Sequence, residues 1–274
     1  MKDINTNDKA LVGQLLSNVA AQMRGAMGNI QSALENIVSQ QAREENPALD
    51  QSAAVLYQSY FRMLRLAGNL SDAAELGETK MLPLKNGDIV GEMRRLCEGA
   101  AAAAAFREQK LTFSSSESEH LMAFNAPAME RVLLNLLSNA MKFTPKGGEI
   151  RVDLSFTSGE AVLLVSDTGC GIAPELRETV FDRHLHVERM DAAPHGLGLG
   201  LPICHHLVSG HEGTIALLHS DGSGTCVRVT IPDRLSSSVS VRDFAFDYAG
   251  GFNHTLVELS DALPAAAFTK EYMD

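Results

Sequence analysis

Three short clusters in the second half of the 274-residue chain constrain its fold more than any other feature. They are Asn135-Leu-Leu-Ser-Asn139-Ala-Met-Lys142, Asp167-Thr-Gly169-Cys-Gly171 and Gly196-Leu-Gly198-Leu-Gly200. On a helix, Asn135, Asn139 and Lys142 fall at i, i+4 and i+7 and share one face. Leu133, Leu136, Leu137 and Ala140 form a different, apolar face. An amide oxygen suits Mg²⁺, and a lysine supplies a point charge for phosphate. Asp167 closes an apolar strand, where its carboxylate can accept from an exocyclic amine such as that of adenine. Gly169 and Gly171 let backbone approach a flat base. The Gly196 to Gly200 run opens a helix whose free N–H groups suit phosphate. Each cluster alone is an ordinary polar face or turn. Together, in this order, they describe a site for ATP with Mg²⁺. About 24 residues rich in charge and histidine separate Gly171 from Gly196 and read as a lid.

Around these clusters the pattern is α/β. Lys110 to Ser114, Glu149 to Phe156, Ala161 to Ser166, Thr214 to Leu218 and Cys226 to Ile231 read as strands. Helices are expected from Ala126 to Phe143 and from Gly198 to Val208, with a further one through the alanine run Ala100 to Ala105. An α/β sandwich, a mixed sheet covered by helices on one face, follows over residues 80–233.

The first 79 residues differ in kind. Val12, Leu16, Val19, Met23, Met27, Ile30, Leu34 and Ile37 make a coiled-coil-like seam. The helix is expected to fade in Gln40 to Glu45, and Asn46-Pro47 caps a second one. Leu56, Tyr60, Phe61, Leu64, Ala67, Leu70 and Ala74 form its apolar face. Two helices bury too little alone, so a homodimeric four-helix bundle is expected. Gly77 to Gly87 reads as a linker. Residues 234–274 form a tail holding six aromatics, Phe244, Phe246, Tyr248, Phe252, Phe268 and Tyr272. Thr255-Leu-Val-Glu258 reads there as a capping box. The tail packs either on its own chain or on a partner.

A net charge of −11 opposes binding to nucleic acid or an anionic membrane. No apolar run approaches a membrane span, and the polar start is unlike a signal peptide. A cytoplasmic protein is expected. Cys97, Cys170, Cys204 and Cys226 are too scattered for a disulfide framework or a zinc site.

Residues 88–231 resemble the catalytic ATP-binding domain of sensor histidine kinases, a branch of the Bergerat-type ATPase superfamily. The N-box runs from Leu134 to Pro145, the first glycine box from Asp167 to Ile172, and the second from Gly196 to Leu201. Val180-Phe181-Asp182-Arg183 is similar to the phenylalanine box, and Ser223-Gly224-Thr225 to a motif that helps hold adenine. The resemblance implies that Asn139 binds Mg²⁺ and that Asp167 reads the adenine amine. It gives base and phosphates to Lys142, Thr225 and the glycines. Hydrolases of the superfamily carry a glutamate where Asn135 stands. An amide cannot activate water as a base does, so a kinase is the nearer likeness.

The hairpin resembles the family's dimerisation and histidine-phosphotransfer domain, with one departure. Along Leu16 to Met27, the acceptor histidine is Ala21, its neighbouring acid is Gln22, and the proline is Ala26. The first histidine of the chain is His120, so the hairpin offers no imidazole. Losing both the nucleophile and its base removes an activated pair. Two functions stay open. One is an ATP-binding regulator or pseudokinase of two-component signalling, paired with a response regulator or a partner kinase. The other is an active kinase that phosphorylates a partner in trans.

Overall fold

The computed structural model describes residues 6–76, 81–181, 198–237 and 253–273. The chain divides into two compact units. One combines residues 1–77 with 247–274, and the other is residues 78–246.

The helical unit is built on α1 (Thr6–Ile37) and α3 (Pro47–Glu75). Helix does not fade between them. A separate turn, α2 (Gln40–Glu45), starts at Ser39, whose hydroxyl accepts the Ala42 N–H. Asn46 then caps α3 by accepting from Ala48 and Leu49, and Pro47 takes the first helical position, where no N–H is needed. The buried stripe of α3 runs through Ala53, Tyr57, Tyr60, Phe61, Leu64 and Ala67. Leu56, expected on it, is instead 49% exposed. Ala20 and Met27 are buried on α1, whereas Val12, Val19, Ile30 and Ile37 of the expected seam face outward.

The tail folds here as well. Helix α7 (His254–Leu259), a 3₁₀ turn (Ala265–Phe268) and α8 (Lys270–Met273) lie against the hairpin. Asn253 caps α7 by accepting the Thr255 N–H. The capping box expected at Thr255 is therefore displaced by two residues. Glu258 is no part of a cap: it is fully buried and faces Arg65. Of the six tail aromatics, Phe268 is buried and Tyr272 half-exposed, while Phe244, Phe246, Tyr248 and Phe252 lie outside the described residues.

The second unit holds a five-stranded sheet. Its strands are β2 (Lys110–Ser115), β4 (Glu149–Thr157), β5 (Glu160–Asp167), β6 (Thr214–Asp221) and β7 (Gly224–Pro232). The spatial order is β2-β4-β5-β7-β6, with only the β2–β4 pair parallel. Alternation sets the two faces. Ile150, Val152, Leu154, Leu163, Val165, Val227, Val229 and Ile231 are buried on one side. Helices α4 (Ile89–Ala105), α5 (Ala126–Phe143) and α6 (Gly200–Gly210) lie against successive strands across the sheet. The alanine run falls in α4, with Ala100, Ala103 and Ala104 buried, so small side chains let that helix pack closely.

Two short strands were not expected. β1 (Lys85–Asp88) overlaps the end of the stretch read as linker and pairs antiparallel with β3 (Leu121–Phe124). With four residues each, they show too little alternation to stand out. Asp88 caps α4 by accepting the Val90 N–H. Cys97 and Cys204 are buried, and burial pushes the Cys97 thiol up to about 12.

Candidate nucleotide site

Helix α5 is the floor of the site. Asn125 caps it through the Ala128 N–H, and Pro127 sits in its first turn. His211, at the end of α6, holds that cap from behind. Its Nε2 accepts the Asn125 N–H at 3.0 Å, and its Nδ1 faces the Leu207 carbonyl at 2.8 Å. These bonds require a neutral ring with the proton on Nδ1, and burial lowers the pKa accordingly.

The polar face of α5 does not project uniformly. Asn139 and Lys142 are half-exposed, but Asn135 is 1% exposed. Its Nδ2 donates to the Arg131 carbonyl at 2.9 Å. Gly200, the first residue of α6, lies over its Oδ1. A Cβ at Gly200 would stand 3.1 Å from that oxygen. The three side chains are not equally open: the start of α6 covers Asn135 at the middle of α5.

Asp167 ends β5, where it pairs with Thr225 of β7. Burial pushes its carboxyl above the ordinary range, and N–H groups of Gly169 and Thr225 draw it back part of the way. Gly169 lies against the Phe143 carbonyl, which joins this loop to the end of α5. Gly171 has φ +73° and abuts the Asp221 carbonyl, where any Cβ would collide. Gly224 meets the Asp167 carbonyl in the same way. These glycines permit close backbone-to-backbone packing, which draws the β6–β7 hairpin over the Asp167 loop.

One residue had no signal in the sequence. Ser220, buried on β6, accepts the Ile172 N–H at 2.7 Å and lies 3.3 Å from the Thr225 hydroxyl. It ties the glycine loop to Thr225, and its place is legible only once β6 and β7 are paired. Beyond it, Arg177 donates to the Ile172 carbonyl at 2.9 Å.

The structure therefore brings Asn135 to Gly200, Gly169 to the end of α5, and Asp167 to Thr225. Gly198, at φ +68°, leads into α6. Gly196, His184, His186, His195 and residues 182 and 183 of the expected phenylalanine box lie outside the described residues. Among the described residues, no cluster of His, Cys, Asp and Glu could hold a metal ion. A hard cation here would rely on Asn139 and on phosphate oxygens, which fits a half-exposed amide in the C-terminal part of α5.

This sandwich and its loops define a Bergerat-type ATPase domain. Residues 125–235 match the family model "Histidine kinase-, DNA gyrase B-, and HSP90-like ATPase". Among curated relatives, the chain is 31% identical over 220 residues to sensor histidine kinase TmoS of Ectopseudomonas mendocina, covering 79% of this chain and 22% of that protein. It is 30% identical over 226 residues to sensor protein KdpD of Escherichia coli, covering 80% and 24%. Among solved structures, full-length ShkA in complex with AMPPNP aligns with TM-score 0.62 at 24% identity, covering 83% of this chain and 46% of that one. The catalytic domain of histidine kinase ThkA aligns with TM-score 0.50 at 20% identity, covering 56% and 97%. Residues 125–235 thus form an ATPase domain of the histidine kinase-, DNA gyrase B- and HSP90-like family, and the curated proteins that match most of this chain are sensor histidine kinases. The match spans about a quarter of TmoS and of KdpD, and from 14% to 57% of the other curated relatives. No helix among the described residues is long and apolar enough to cross a membrane.

Proposed function

We propose that this chain binds Mg-ATP and acts in two-component signalling as a histidine-kinase-like regulator, without phosphorylating itself at the family's usual place. One juxtaposition carries the reading. Asn139 and Lys142 are half-exposed on α5 and Asp167 ends β5, while the acceptor positions of the hairpin hold Ala21 and Gln22, both exposed on α1. An alanine has no nucleophile, and a glutamine amide is no base.

In this reading Asp167 takes the adenine amine, backed by Ser220 and Thr225. Lys142 and the N-terminus of α6 take the phosphates, with Asn139 as the protein's Mg²⁺ ligand. Asn135 pins α5 to α6 and stays out of the chemistry.

Dimerisation through the hairpin is part of the proposal. Leu11, Val12, Leu15, Val19, Ile30 and Ile37 of α1 are each at least 41% exposed. Val55, Leu56 and Met63 of α3 are each at least 38% exposed. So much outward apolar surface on two long helices suits a second copy. A response regulator or partner kinase would receive the signal.

Calorimetry with Mg-ATP tests the site. Binding is expected and should be lost or weakened at least tenfold in Asn139→Ala. Absence of binding by the unaltered chain would overturn the reading. Labelling of a cell extract with γ-labelled ATP separates the remaining choice: a labelled partner that depends on Asn139 would favour transfer in trans.

A further inference from the structure

The family-model match ends at residue 235, yet the chain goes on to fold against its own first 77 residues. The contacts are specific. Arg65, with a side chain 4% exposed, sits 3.5 Å from the fully buried Glu258 carboxylate and 3.0 Å from that of Asp261. Arg62 donates to the Ser260 carbonyl, Gln58 to that of Leu263 at 2.6 Å, and Arg43 to that of Phe268 at 3.0 Å. The Phe268 ring is buried 5.4 Å from that of Phe61. Successive tail residues thus meet α3 in reverse order, from Arg65 back to Gln58, before Arg43 binds the tail at Phe268. The segment runs antiparallel to α3.

At the ATP-binding unit the chain's arrival and departure are adjacent. The Leu82 N–H bonds the Gly210 carbonyl as the chain comes in. As it goes out, Arg234 accepts the Ala123 N–H through its carbonyl. Asn86 and Ser236 then exchange two hydrogen bonds, at 3.0 and 2.8 Å. The outgoing chain is therefore stitched beside β1 and its partner β3.

We propose that residues 253–273 are a clasp: they anchor the chain that leaves the ATP-binding unit on the hairpin, so that the unit is tied through two connections instead of one. The geometry supplies the effect. Six residue steps from Leu76 to Leu82 reach at most about 20 Å, and sixteen from Ser237 to Asn253 at most about 55 Å. A single connection lets a unit swivel about every axis, whereas two adjacent ones remove part of that freedom. Covalent linkage keeps the clasp near its groove at a high effective concentration, so modest affinity is enough. Segments this short do not hold helix alone, so α7 and α8 owe their form to α3. The clasp is independent of whether nucleotide is bound or turned over.

The test uses the full chain with a protease site inserted after Ser237. Dyes are placed through Gln51→Cys and Thr157→Cys in a Cys170→Ser background, diluted with unlabelled chain so that pairs report within one molecule. The distance distribution is recorded before and after cleavage. Cleavage should broaden it at least twofold, and Phe268→Asp should do so without cleavage. Melting of the ATP-binding unit should not move in either case. If Phe268→Asp unfolds the helical unit, the cleavage arm still decides. Equal widths before and after cleavage would overturn the clasp.

Discussion

Replacing Asn135 by aspartate tests what this residue does with almost no change of shape. The side chain is 1% exposed, and its amide donates to the Arg131 carbonyl at 2.9 Å. A carboxylate there loses the donor and sets two acceptors against each other. A buried unsatisfied group costs about 1–3 kcal/mol, and a charged one more. We take about 3 kcal/mol, which for a domain of this size lowers Tm by about 6–12 °C. The pH dependence is sharper still. Burial raises the introduced carboxyl's pKa in the folded state above its unfolded value of about 4. The protonated form can again donate to Arg131. A raised folded pKa means stability present at low pH and lost as pH rises through the folded pKa. The Tm gap between variant and parent should therefore be wide at pH 8 and narrower at pH 5. His211 titrates in both proteins and cancels in the difference. Thermal melts at the two pH values read it out. An equal gap at both, or no gap at all, would refute the pinning role of Asn135.

Three further outcomes are expected. His211 is neutral and buried with a lowered pKa, so the stability it contributes is present above about pH 6.5 and fades as pH falls towards its folded pKa. His120 has the opposite sign: burial opposes its charge, but Asp233 and Glu117 outweigh that and raise its pKa, so its contribution fades as pH rises. Acid melts of His211→Phe should lose the first trend alone. Glu258→Ala breaks a pair whose carboxylate is fully buried, but Asp261 still faces Arg65 at 3.0 Å. The loss should sit at the low end for such pairs, about 3 kcal/mol, in denaturant melts of the helical unit. Ser220→Ala leaves the Ile172 N–H without its acceptor and should weaken nucleotide binding about five- to tenfold, with Ser220→Thr restoring part of it; an unchanged Kd would remove Ser220 from the site.

How legible was this in the sequence? The sandwich was, because β4 and β7 alternate, β5 is a short apolar run, and α5 carries a capped amphipathic pattern whose bounds match those expected. The short strands β1 and β3 were not, since their pairing rests on partners more than 30 residues apart. At the site, Asp167 and Thr225 could be read from motifs, whereas Ser220 and the burial of Asn135 depend on which strands and helices meet. Periodicity placed Asn135 on a face but could not say that Gly200 covers it. In the tail, Glu258 matched a local capping pattern, yet Arg65, distant in sequence, claims it. Local signals lose where a long-range ion pair competes for the same side chain.

The most direct measurement is labelling of the purified chain with ATP carrying a marked γ-phosphate, beside an Asn139→Ala control. Nucleotide should bind, and no acid-labile phosphate should remain on the chain, because α1 carries Ala21 and Gln22 at the acceptor positions. An acid-labile phosphohistidine on the unaltered chain, absent from the control, would contradict the account.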